Sequence, residues 1–128
     1  MRIICLFALL FFTQCIQDDL KDDQIPLETV KDWYEYGLTQ IAHNDYDDAI
    51  ESFNKGISIG DEVLEEYYVS MCLYEIAFTY SLKGDTKKAI TYIDKILTKF
   101  ISSQKPRILA QNLKERILAG QNYKNASY

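Results

Sequence analysis

Two stretches of the chain, Trp33–Phe53 (WYEYGLTQIAHNDYDDAIESF) and Leu73–Ile93 (LYEIAFTYSLKGDTKKAITYI), decide how the rest is read. In each, apolar residues recur at helical spacing without strand-like alternation, and a short polar turn divides the stretch in two. Val30, Trp33, Gly37 and Ile41 share one helical face, and Tyr46, Ala49, Ile50, Phe53 and Ile57 share another beyond the polar Asn44-Asp45 pair. The second stretch follows the same plan. Leu73, Ile76, Ala77 and Tyr80 line one helix, Gly84-Asp85 makes the turn, and Ala89, Ile90, Ile93 and Ile96 line the next. Gly84 suits a helix C-terminus because it tolerates a left-handed backbone, and Asp85 offers a carboxylate to the first N–H groups of the following helix. Each stretch reads as an antiparallel helical hairpin.

The two hairpins are also copies of one pattern. Trp33, Gly37, Ala49 and Phe53 fall at relative positions 0, 4, 16 and 20, and Leu73, Ala77, Ala89 and Ile93 fall at the same four offsets. This resembles the tetratricopeptide repeat, whose pattern sets a large residue, a small one where helices cross, then Ala and a bulky residue on the second helix. The resemblance implies an all-α fold: an α-solenoid of two TPR-like antiparallel hairpins with a C-terminal capping helix. It assigns repeat packing to Trp33, Gly37, Ala49 and Phe53, and to Ala77, Tyr80, Ala89 and Ile93. Small side chains at the crossing let helix axes approach to about 8 Å. Tyr36, Gln40 and Asp61 depart from the family's Leu, Tyr and Pro, and the two copies lie 40 residues apart where the family's period is about 34.

Outward from the hairpins, the additional residues fall between Asp61 and Ser70, where Val63, Leu64, Tyr67, Tyr68 and Met71 keep helical spacing. That spacing predicts one long helix over about 62–82, with Asp61 as its cap. Pro106, suited to a first helical turn, opens a segment with Ile108, Leu109, Leu113, Ile117 and Leu118 that predicts a fifth helix closing the stack. The helical domain then spans 27–120, followed by a flexible tail at 121–128. Two repeats make a short solenoid, since such proteins usually need about three units to bury their faces.

The N-terminus reads differently. Met1-Arg2 precedes an apolar run of ten residues from Ile3 to Phe12, half the roughly 20 that a membrane span requires, which marks residues 1–14 as a secretory signal peptide. Phe12-Thr13-Gln14-Cys15 resembles the lipobox of bacterial lipoproteins, with Phe12 and Gln14 standing where Leu and a small residue are usual. The resemblance implies lipidation of Cys15; the alternative is a secreted chain without lipid. If Cys15 carries lipid and Cys5 is removed, Cys72 is left without an intrachain disulfide partner. Residues 15–26 hold four Asp and few apolar side chains, and read as a disordered acidic tether.

Composition narrows the function. The 128 residues are 48% hydrophobic and 26% charged, which fits one small ordered domain. A net charge of −5 disfavours nucleic-acid binding, which rests on basic side chains neutralising phosphate. Charge is also uneven: residues 18–75 carry sixteen acids and three bases, whereas 76–128 carry three acids and ten bases. One His and three Cys cannot assemble a familiar zinc site or a disulfide scaffold. His43 reads as a surface residue. Asp45, Asp47 and Asp48 resemble the start of a calcium loop but lack its turn glycine, and Cys72 on an apolar helix reads as a small core residue. No metal, cofactor, small-molecule substrate or catalytic set is expected.

The family resemblance places a partner groove on the first helix of each repeat, here Tyr34, Leu38 and Ile41, with Lys31 beside them, and Met71, Tyr74, Phe78 and Leu82. An apolar, aromatic lining suits a segment of another protein; alternatively the last helix folds back and fills it. Members that clamp acidic chaperone tails carry Lys and Asn at the places of Tyr34 and Leu38, so that use is not expected here. With the lipobox, these features describe a non-catalytic adaptor at the bacterial envelope, held on the outer membrane and facing the periplasm. The combination resembles the BamD type of lipoprotein of the outer-membrane β-barrel assembly machinery, which implies the barrel-assembly protein's soluble domain as partner. The alternative is a soluble secreted or periplasmic peptide-binding adaptor.

Overall fold

The computed structural model of the chain describes residues 26–62 and 64–120; the signal peptide, nearly all of the tether and the tail lie outside them. Five α-helices follow one another: α1 (Val30–Ala42), α2 (Tyr46–Ile59), α3 (Glu66–Leu82), α4 (Thr86–Lys99) and α5 (Gln104–Leu118). No strand occurs among the described residues. Helices α1 and α2 form one hairpin, α3 and α4 a second, and α3 packs on both helices of the first. This is the all-α solenoid of hairpins that the sequence pattern predicts. Helix α5 lies against α3 and α4 and does not reach α1, so it caps the stack on the second hairpin.

Local chemistry sets the helix ends. Thr29 opens α1 with a reciprocal capping box: its hydroxyl accepts from the Asp32 N–H at 3.1 Å, and the Asp32 carboxylate accepts from the Thr29 N–H at 2.9 Å. The two hairpin turns share one geometry. Asn44 and Gly84 both take a left-handed backbone, with φ of 65° and 82°. The next N–H in each turn, of Asp45 or Asp85, donates back to the carbonyl of Gln40 or Tyr80 at 2.9 Å. Asp85 then accepts from Lys88 N–H to cap α4.

The connection between hairpins corrects one expectation. Asp61, Glu62, Leu64 and Glu65 are not helical, and α3 begins at Glu66 instead of near 62. Gly60 is extended at ψ 141°, and Asp61 folds the chain back on itself: its carboxylate accepts from Leu64 N–H at 3.0 Å, and its own N–H donates to the Glu65 carboxylate. Such local bonds compete with a helical ladder. Leu64, one of the residues that kept helical spacing, is 84% exposed.

A single buried cluster runs through both hairpins and the cap. Val30, Ala49 and Phe53 meet Val69, Cys72, Leu73, Ile76 and Ala77, which continue into Ile93, Ile96, Phe100, Ala110 and Leu113. At the α1–α2 crossing, a Cβ added to Gly37 stands 2.5 Å from the Phe53 ring, closer than real Cβ atoms come to a neighbour. Ala77, at the equivalent place, is fully buried. Pro106 is buried in the first turn of α5, and Ser103 N–H donates to the Glu66 carboxylate at 3.1 Å, tying the cap to the start of α3.

Candidate functional site

The surface between α1 and α3 is built from the first helix of each hairpin. On α1, Tyr34, Leu38 and Ile41 are half-buried and pack their inner edges on the core. The Tyr34 ring lies 6.3 Å from Phe53 and 5.9 Å from Tyr68. On α3, Tyr74 and Phe78 stack at 6.3 Å with their planes 17° apart, and both are half-buried, as is Leu82. Met71 is placed differently: at 4% exposure it is part of the interior and offers the groove almost no surface. That corrects its reading as a groove residue, because a side chain so enclosed has no surface to offer a partner.

Three neighbours belong to this surface although the repeat offsets did not single them out as lining it. Tyr68 and Tyr67 sit edge to face at 5.2 Å and extend the aromatic rim. Glu75, 9% exposed, lies on the stripe between Met71 and Phe78, four residues after one and three before the other. That helical spacing was the available sign. Burial pushes the Glu75 carboxyl up to about 7 and the Cys72 thiol up to about 12, because a low-dielectric surround disfavours the charged form. The Tyr34 hydroxyl is raised by the same burial and by the nearby Glu75 charge. Cys72 is wholly enclosed and protonated at neutral pH, a core residue and not a nucleophile.

The remaining sequence candidates resolve locally. His43 is exposed at the end of α1, where its Nδ1–H donates to the Thr39 carbonyl at 2.7 Å. Asp47 and Asp48 stand in the first turn of α2, and among the described residues no cluster of His, Cys, Asp or Glu is arranged to hold a metal ion. Among those residues, too, no helix is long and apolar enough to cross a membrane. Much of the basic half is engaged within the fold. Lys83 pairs with Asp47, Lys99 with Glu62 and Lys114 with Asp94, while Arg107 donates to the Leu97 carbonyl at 2.6 Å. Lys87, Lys95 and Lys105 remain exposed.

A stack of helical hairpins whose first helices present an aromatic groove belongs to the class of α-solenoid interaction scaffolds. More narrowly, residues 33–59 and 72–98 match the sequence pattern of the tetratricopeptide repeat, and these are α1–α2 and α3–α4. The chain carries two tetratricopeptide repeats. Repeats of this kind serve to bind other proteins. No curated protein and no solved structure matches the chain.

Proposed function

We propose that the protein is a non-catalytic adaptor of the bacterial envelope, anchored by lipid on Cys15 and holding a segment of another protein in the α1–α3 groove. The observation that carries the binding half is the groove itself: Tyr34, Leu38, Tyr74 and Phe78 are half-buried along it, and α5 packs on α3 and α4 and not on α1. Aromatic rings give large contact area at low entropic cost. The anchoring half rests on the apolar run before Cys15 and the acidic stretch after it, and more than one acyl chain on that thiol gives stable membrane attachment, at about 0.8 kcal/mol per buried CH₂. Within that reading, the tetratricopeptide hairpins behind an acidic tether fit outer-membrane protein assembly, with the barrel-assembly protein's soluble domain as the partner.

Labelling native cells with a palmitate analogue, with and without globomycin, tests the anchor. Label on the chain, with precursor accumulating under the drug, supports it; an unlabelled chain of unchanged mass leaves the soluble, secreted adaptor in its place. Crosslinked capture from native membranes tests the partner class, and recovery of barrel-assembly proteins in proportion to the chain is the predicted result.

A further inference from the structure

The groove contains one group that its apolar walls do not explain. Glu75 is more than nine-tenths buried, yet among the described residues its carboxylate has neither a hydrogen bond nor an ion pair, and burial is what acts on its ionisation. Tyr34 on α1 and Cys72 on α3 are its titratable neighbours. No charged group of α1, α2, α4 or α5 among the described residues stands against it. A buried acid without a partner is costly unless something pairs with it.

Two further observations indicate what that is. Among the described residues, no polar side-chain atom is both sealed from solvent and without a hydrogen-bond partner. The Glu75 oxygens, having no partner, therefore keep an opening to the surface. The corresponding residue of the first repeat, Glu35, is exposed and pairs with Lys31 one turn earlier, at 3.6 Å. In the second repeat Met71 stands in the place of Lys31, so the fold keeps the acid and omits its internal cation.

We propose that Glu75 receives the cationic side chain, lysine or arginine, of an otherwise apolar segment of the partner protein, with the rings of Tyr34 and Phe78 alongside its methylene stem. This deepens the adaptor reading and rests on it. The ring faces favour a cation on electrostatic grounds, and the described residues from 26 to 75, with twelve acids against two bases, give this half of the fold a field that attracts basic segments. A charged pair formed in a desolvated pocket gives specificity, because a neutral side chain would leave the acid unpaired.

The test is selection of a random twelve-residue peptide display library on the full-length chain, followed by titration of enriched peptides against Glu75→Gln, Phe78→Ala and, as a surface control, Glu35→Gln. The predicted result is enrichment of a lysine or arginine among apolar residues, with affinity reduced at least tenfold by Glu75→Gln and unchanged by Glu35→Gln. Affinity should also fall between pH 8 and pH 6 in the parent chain, as the carboxyl protonates, and stay level in Glu75→Gln. Because Gln is isosteric, circular dichroism matching the parent separates lost binding from lost folding. Peptides that depend on Phe78 but show no basic enrichment and ignore Glu75→Gln would overturn the cation assignment and leave the groove standing. Failure to recover any peptide sensitive to Phe78→Ala would overturn the groove and the assignment together. Peptide binding that appears only after Lys124→Gln would place the chain's own tail on Glu75, and a dimer abolished by Glu75→Gln would place a second copy there; either result would overturn the partner assignment.

Discussion

The two hairpins are offset by 40 residues and built on one plan, yet they close in different ways. In α1–α2, glycines fill the contact positions: Gly37 faces the Phe53 ring, and a Cβ on Gly60 would stand 2.6 Å from Val30 and 2.7 Å from Val69. In α3–α4 the same places hold Ala77 and Phe100, both buried, and Phe100 shares its cluster with Ala110 and Leu113 of α5. The polar trim differs too. Ser52 donates to Gln40 at 2.6 Å in the first hairpin, whereas Tyr80 and Tyr92 stack at 5.8 Å in the second. Among the described residues, the first hairpin has a helical neighbour on one side only and closes on itself through small residues. The second lies between α1–α2 and α5 and fills space with large ones. That middle position is what buries Glu75 while its counterpart Glu35 stays in water.

The largest effect expected from breaking this contrast is at Phe100. Replacing it with Ala, which moves the second hairpin toward the small-residue closure of the first, should cost about 4 kcal/mol because α5 loses its packing surface. Urea denaturation followed by circular dichroism would measure it, and a loss below about 1 kcal/mol would show that the cap does not depend on that ring.

The next effect is electrostatic and depends on pH. The folded-state pKa of Glu75 is raised, so the folded chain holds this proton more tightly than the unfolded one. Its stability is therefore fully present below the ordinary carboxyl value of 4.5 and is lost as pH rises through about 7. At one unit per 1.36 kcal/mol, the loss approaches about 3 kcal/mol above that window. Glu75→Gln should stabilise the chain at pH 8 and flatten this part of the curve, and Glu35→Gln should do neither. Denaturation midpoints at pH 4.5, 6, 7 and 8 would check both.

At the first crossing, Gly37→Ala should cost about 2 kcal/mol despite the better helix propensity of Ala, since the added methyl meets the Phe53 ring. A Phe53→Leu background should recover part of that loss, read as a double-mutant cycle. The smallest effect is at the chain's first cap. Thr29→Ala removes one side of the capping box and should lower stability by about 1 kcal/mol, visible as a shifted urea midpoint with an unchanged slope.

The helix count, the hairpin pairing and both turns were legible because each rests on a local pattern: apolar spacing of 3.6, a residue tolerant of left-handed φ, and an Asp after it. The inter-hairpin connection was not, because residues 61–71 keep helical spacing while Asp61 binds its own neighbours and ends the ladder. Along the groove, Tyr34, Tyr74 and Phe78 are half-buried beside it, but Met71 is inside. Offsets within one repeat cannot tell which side of a first helix the preceding repeat covers. Glu75 was missed for the same reason, since Glu35 and Glu75 share a place in the pattern and differ only in what is stacked against them.

The partner is expected to lie on the α1–α3 face. The direct measurement is photocrosslinking from single sites in native cells, with the probe at Leu38 or Tyr74 in the groove and at Ser58 or Thr91 on the second helices of the hairpins. The prediction is one crosslinked species from Leu38 and Tyr74, reduced in the Glu75→Gln chain, and none from Ser58 or Thr91. Crosslinks confined to Ser58 and Thr91 would contradict it.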